Sequence, residues 1–188
     1  MGLRSATALL GIVVCALGAA GPALADPPAA RPAFSLVTFV EYTPGAHGVT
    51  YDAASVPVGS RAAVLAAPDH GGTTVALLVR GLLPGRAYGA HVHQKPCGAT
   101  GDAAGPHFQH VPDPVQPSVD PQYANPRNEI WLDLTTDMNG NARSSAGVDW
   151  QFGDRPAGSV VLHAEHTHTG PGQAGTAGPR LACVTVDF

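Results

Sequence analysis

The sequence predicts an all-β fold, a Greek-key β-sandwich or barrel of about eight antiparallel strands with one long loop, and three observations lead there. The 23 glycines and 18 prolines punctuate the chain too densely for long helices. Short β-branched or aromatic runs recur between Gly, Pro, Asp and Asn clusters. No convincing helix and no internal repeat competes with them.

In chain order, residues 1–25 read as a signal peptide: Arg4 is the basic start, Ala6 to Ala20 the apolar run, and Ala23-Leu24-Ala25 the small-residue cleavage site. Asp26 would then be the first mature residue, and Cys15, lacking a Leu-small-small context, is no lipid anchor. Residues 26–33 are Pro- and Ala-rich and read as a tether, with one domain over 34–188. Strands are expected at Ser35 to Tyr42 and, more weakly, Val49 to Asp52. Ala62 to Ala66 and Thr73 to Arg80 flank the turn Asp69-His70-Gly71-Gly72. Pro84-Gly85 precedes the strand Tyr88 to Gln94. Glu129 to Thr136 and the weaker Asn141 to Ser145 are separated by Met138-Asn139-Gly140-Asn141, and Gly158 to Ala164 and Leu181 to Phe188 complete the set. Pro96 to Arg127 is the exceptional stretch, a Gly/Pro-rich excursion of a length that is either functional or disordered.

Composition narrows the partners. Hydrophobic residues at 44% are enough for a core, while charged residues are only 13%. A formal charge of −4 with Lys95 as the only lysine speaks against a nucleic-acid or anionic-membrane surface and leaves a small diffusible partner. No later segment is apolar for long enough to be a transmembrane helix, so no transmembrane anchor is expected in the mature chain. The exported chain would keep two cysteines, Cys97 and Cys183, for which one intramolecular pairing is available in an oxidising compartment.

The histidines carry the chemistry. His91 and His93, at i and i+2 on an expected strand, leave the same face and can meet one ion. His107, in Gly105-Pro106-His107-Phe108, and His163, at the end of Ser159-Val160-Val161-Leu162, bring two further imidazoles from separate segments. Such a set suits copper or zinc better than magnesium or calcium.

Gly89-Ala90-His91-Val92-His93, Cys97, Gly105-Pro106-His107-Phe108, His163-Ala164-Glu165 and Gly175-Thr176-Ala177-Gly178-Pro179-Arg180-Leu181-Ala182-Cys183 stand in the order found in copper/zinc superoxide dismutases, and from Ser35 to Phe188 the chain resembles that family. The resemblance implies copper ligation by His91, His93, His107 and His163, with His107 in the bridging position. It also implies a Cys97 to Cys183 disulfide, and Arg180 as the residue that guides and holds the superoxide anion. The implied activity is dismutation of superoxide to dioxygen and hydrogen peroxide by copper redox cycling, with His107 as proton carrier; removal of the signal peptide would leave the chain in an extracellular, cell-wall or periplasmic space. The rival reading is an exported copper carrier or scavenger on the same fold with little or no catalysis. Arg180 favours the enzyme, since a carrier gains nothing from it.

The sequence departs from the family at zinc. The family's zinc subsite uses the bridging histidine, two more histidines and an aspartate, yet between His107 and Leu134 only His110 is present. The family aspartate after the fourth copper ligand is also missing from residues 164–179. A copper-only site is therefore expected, with Glu129 as the carboxylate that orients His107 and Asp133 as the fallback. The alternative is an irregular zinc centre of His107, His110 and Asp113 or Glu129. His110, His166 and His168 lie near proposed ligands without a settled role, His47 and His70 read as turn or surface residues, and the five prolines of residues 111–126 suit a rigid flap.

Overall fold

The computed structural model describes residues 1–2, 31–155 and 157–188. The expected signal peptide, beyond its first two residues, and the tether as far as residue 30 lie outside the described residues. Among them nine strands are found: β1 Ala33–Thr38, β2 Gly48–Thr50, β3 Arg61–Asp69, β4 Gly72–Arg80, β5 Ala87–His93, β6 Leu134–Thr135, β7 Ala142–Val148, β8 Ser159–His163 and β9 Arg180–Thr185. A 3₁₀ turn, Gly101–Ala104, is the only helical element among the described residues. The strands form a four-stranded sheet, β1-β3-β4-β7, and a five-stranded sheet, β2-β9-β8-β5-β6. Every neighbouring pair is antiparallel. No helix among the described residues is long and apolar enough to cross a membrane.

One apolar core joins the two sheets, with Val64 and Leu77 of the first and Tyr88, Ala90, Val92, Val160, Leu162 and Val184 of the second all buried. The first sheet keeps the alternation of a strand wet on one side: β3 and β4 bury every second residue. The strands β5 and β8 are buried on both faces, because a loop covers the side turned away from the core.

Three strands differ from the sequence expectation. The run Ser35 to Tyr42 divides between the sheets: β1 ends at Thr38, and Val40 then pairs in parallel with Val49 on the other side. The weak segment Asn141 to Ser145 becomes the seven-residue β7 along β4. Of Glu129 to Thr136 only Leu134–Thr135 is a ladder strand, although Val92 N donates to Ile130 O and Leu132 N to Ala90 O. Ile130, Leu132 and Leu134 point into the core as a strand would require, while the alternate residues Glu129, Trp131 and Asp133 are drawn into side-chain contacts of the site.

Candidate metal centre

His91 and His93 both project from β5 on the face opposite Ala90 and Val92. On the neighbouring β8, Gly89 lies opposite His163 and His91 opposite Val161. The register between β8 and β9 slips after Leu162, so that Leu162 pairs with Ala182 but His163 pairs with Arg180. This bulge brings a histidine and an arginine side by side that a regular ladder would hold one residue out of step. Nothing in the sequence signals it.

The long excursion closes over this outer face. His107 forms a bridge with His93, and Lys95 N bonds to Ala104 O. The disulfide Cys97–Cys183, present here, ties the start of the excursion to β9, and a small cluster of Ala104, Val161 and Cys183 packs beneath it. Arg180 Nη1 donates to Gly101 O at 2.8 Å. A side chain at Gly101 is excluded, because its Cβ would fall 2.7 Å from Cβ of Arg180.

His91, His93, His107 and His163 thus meet, each with one ring nitrogen within 4.8 Å of the others. Their hydrogen bonds determine which nitrogen that is. His93 Nδ1 lies 3.0 Å from Gly105 O and His163 Nδ1 3.3 Å from Gly178 O. A carbonyl oxygen only accepts, so both Nδ1 atoms carry the proton and both Nε2 atoms present lone pairs. These Nε2 atoms face each other at 3.4 Å, an apposition that repels unless a cation lies nearby. His91 Nδ1 is the one buried side-chain nitrogen or oxygen among the described residues without a partner. Burial, reinforced by the neighbouring imidazoles, holds His91 and His93 well below the usual histidine pKa and lowers His163 to about 3. These are neutral imidazoles at neutral pH, the form that binds a metal. An all-nitrogen donor set with an orphaned buried nitrogen and two apposed lone pairs fits copper or zinc.

Glu129, nearly fully buried, sits behind His107: its Oε2 accepts from His107 Nδ1 at 2.8 Å and from Trp131 Nε1 at 2.7 Å. Its Oε1 accepts from Gln109 Nε2 at 2.8 Å. Asp133 lies elsewhere, on the side of His91, where it accepts from Thr167. Of the residues of the zinc alternative, His107 and Glu129 meet, whereas His110 and Asp113 are engaged elsewhere. His110 stacks on Trp150 with ring centroids 5.1 Å apart, and the Asp113 carboxylate accepts from Ser118 Oγ and Val115 N. His166 Nε2 lies 3.0 Å from Leu134 O and His168 Nε2 3.2 Å from Glu165 Oε2. Neither joins the four, while His70 is fully exposed beside Asp69. Gln109, Trp131 and Thr167 are neighbours of the site that the sequence reading passed over. For Trp131 a signal existed, since Glu129, Trp131 and Asp133 alternate with three core residues.

Beside the histidines opens a cleft of about 360 Å³, lined by His107, His163 and Arg180 and by the segments Gln116–Val119 and Gly175–Gly178. The proline-rich segment is latched there by Gly172 N donating to Val119 O.

A copper/zinc superoxide dismutase from Brucella abortus aligns with 82% of this chain and 99% of its own, at a TM-score of 0.56 and 18% identity. The chain has the copper/zinc superoxide dismutase fold. A clock protein, EA4, shares it at a TM-score of 0.53 and 20% identity, over 84% of this chain and 94% of that one. At these identities the likeness establishes architecture. No protein-family model matches the sequence, and no curated protein matches it. On the superoxide dismutase fold, the four histidines occupy the outer face of the five-stranded sheet beneath the long loop.

Proposed function

We propose that this chain is an exported superoxide dismutase that works with copper alone. The observation that carries the reading is the convergence of four imidazoles beside a cleft shared with Arg180. Copper held by His91, His93, His107 and His163 would supply reversible one-electron exchange, oxidising one superoxide to dioxygen and reducing the next, with one proton by way of His107 and one from solvent, to hydrogen peroxide. Arg180 binds the anion. One arm of its guanidinium is spent on Gly101 O, which fixes the cation and leaves its other N–H groups for a ligand. His107, with 17% of its side chain exposed, is the proton carrier: a proton taken up at Nε2 reaches the cleft, while Nδ1–H stays with Glu129.

The copper-only reading is supported by the hydrogen bond that occupies His107 Nδ1 and by the engagement of His110 and Asp113 elsewhere. Reconstitution with both ions tests it, with one copper and no zinc per chain expected and dialysis-resistant stoichiometric zinc overturning it. Superoxide consumption by copper-loaded protein tests the activity, and Arg180→Ala should lower it by roughly ten- to a hundredfold. Copper bound at all four histidines without superoxide turnover would make the protein a carrier or scavenger instead. Export predicts that the mature chain recovered outside the membrane starts near Asp26.

A further inference from the structure

We propose that Thr167 and Asp133 act as a two-residue relay that fixes the tautomer of His91, holding the proton on Nε2 and turning the Nδ1 lone pair into the histidine cluster. The inference deepens the copper reading above, on which its metal half rests, but its tautomer half stands on the hydrogen bonds alone.

Thr167 Oγ1 lies 2.7 Å from His91 Nε2 and 2.6 Å from Asp133 Oδ1. A hydroxyl has one proton to give, and an ionised carboxylate only accepts. The threonine proton therefore goes to Asp133, and the threonine oxygen must accept from His91. In a neutral imidazole a protonated Nε2 leaves Nδ1 bare. That atom is the buried one with no partner, on a ring that is wholly inaccessible to solvent. Both ring nitrogens are thereby accounted for.

The relay is itself held from three segments. Asp133 Oδ2 accepts from Thr167 N at 2.7 Å, and Oδ1 also accepts from Ala90 N at 3.2 Å, on the strand residue next to His91. Asp133 precedes β6, Ala90 lies in β5 and Thr167 follows β8, so one carboxylate ties the loop after β8 to the strand that carries the ligand. The other three histidines receive their orienting contact from a backbone carbonyl or a carboxylate directly. His91 receives it through a hydroxyl whose direction a second residue sets. Thr167 and Asp133 are positioning residues, and orienting partners of this kind typically govern ten- to a hundredfold of metal affinity.

The full mature chain, metal-free and ¹⁵N-labelled, tests the tautomer at neutral pH through long-range proton–nitrogen correlations of its imidazoles. His91 is expected in the Nε2–H form in the wild type and in Thr167→Ser, and to lose that preference in Thr167→Val and Asp133→Asn. An Nδ1–H His91 in the wild type overturns the proposal without recourse to any variant, and so does a wild-type tautomer in a folded Thr167→Val protein. Copper affinity by competition with a chromogenic chelator should fall ten- to a hundredfold in Thr167→Val and recover in Thr167→Ser. Equal affinity in wild type and Thr167→Val overturns the metal half. A wild type that binds no copper would sink the proposed function and leave the tautomer result to decide the relay.

Discussion

The strands β5 and β8 each carry two different structures on their two faces. Toward the other sheet, Ala90, Val92, Val160 and Leu162 pack into the apolar core. Away from it, His91, His93 and His163 lie as deeply buried, under a loop instead of a sheet. The inner face is held by non-directional burial, which tolerates any apolar side chain of about the right volume. The outer face is held by hydrogen bonds that each specify an atom, and it places lone pairs where the inner face places methyl groups. The same backbone therefore gives a forgiving scaffold and an exacting site one residue apart.

Adjacent residues of β8 offer the sharpest way to break that contrast. His163→Ala should abolish tight copper binding and superoxide turnover while leaving the far-ultraviolet circular dichroism unchanged. Leu162→Ala should do the reverse, keeping the ligands but lowering unfolding free energy by about 2–5 kcal/mol in urea titration. A His163→Ala protein with wild-type copper affinity would break the site assignment.

Next in size is the disulfide, which ties the outer-face loop to β9 across a sequence separation of 86 residues. Chain entropy values such a closure at roughly 4 to 5 kcal/mol, so chemical denaturation with and without reductant should differ by that order. The pH dependence of the metal-free protein comes third. The folded state keeps His91 and His93 neutral well below the ordinary range and His163 down to about 3, whereas the unfolded chain protonates them near 6.5. The unfolded state binds more protons in that window, so stability should fall as pH drops from about 6.5 toward 3. Urea titrations at successive pH values measure the loss, which should be absent above about pH 7. Glu129→Gln should cost about tenfold in copper affinity, since an amide cannot accept from His107, Trp131 and Gln109 together without turning a donor toward one of them. Smallest is the effect of salt. Residues 164–179 hold no lysine or arginine and a single acid, Glu165, so the rate should change less than about twofold between low and physiological ionic strength.

The two faces were unequally legible. Periodicity and turn residues announce the strands because a core needs only apolar side chains at the right spacing, and the i, i+2 pair His91 and His93 follows from the same rule. His107 and His163 required motif order, since no local period connects a loop to a strand 56 positions away. The bulge that sets His163 against Arg180 is invisible because register depends on both strands at once. Thr167 was missed because its meaning depends on Asp133, a residue brought to it only by the fold. Glu129 to Thr136 read as a plain strand because its alternation is real, although half of it serves the site.

The latched proline-rich segment adds a kinetic dimension. Gln116–Val119 and Gly175–Gly178 both line the cleft beside His107 and Arg180, so part of its lining is stiffened by proline and tied back at Val119. Such a lining is expected to admit a small anion more readily than a bulky chelator. On the copper reading, exchange of the ion would then depend on the motion of this stiff loop as well as on the four histidines.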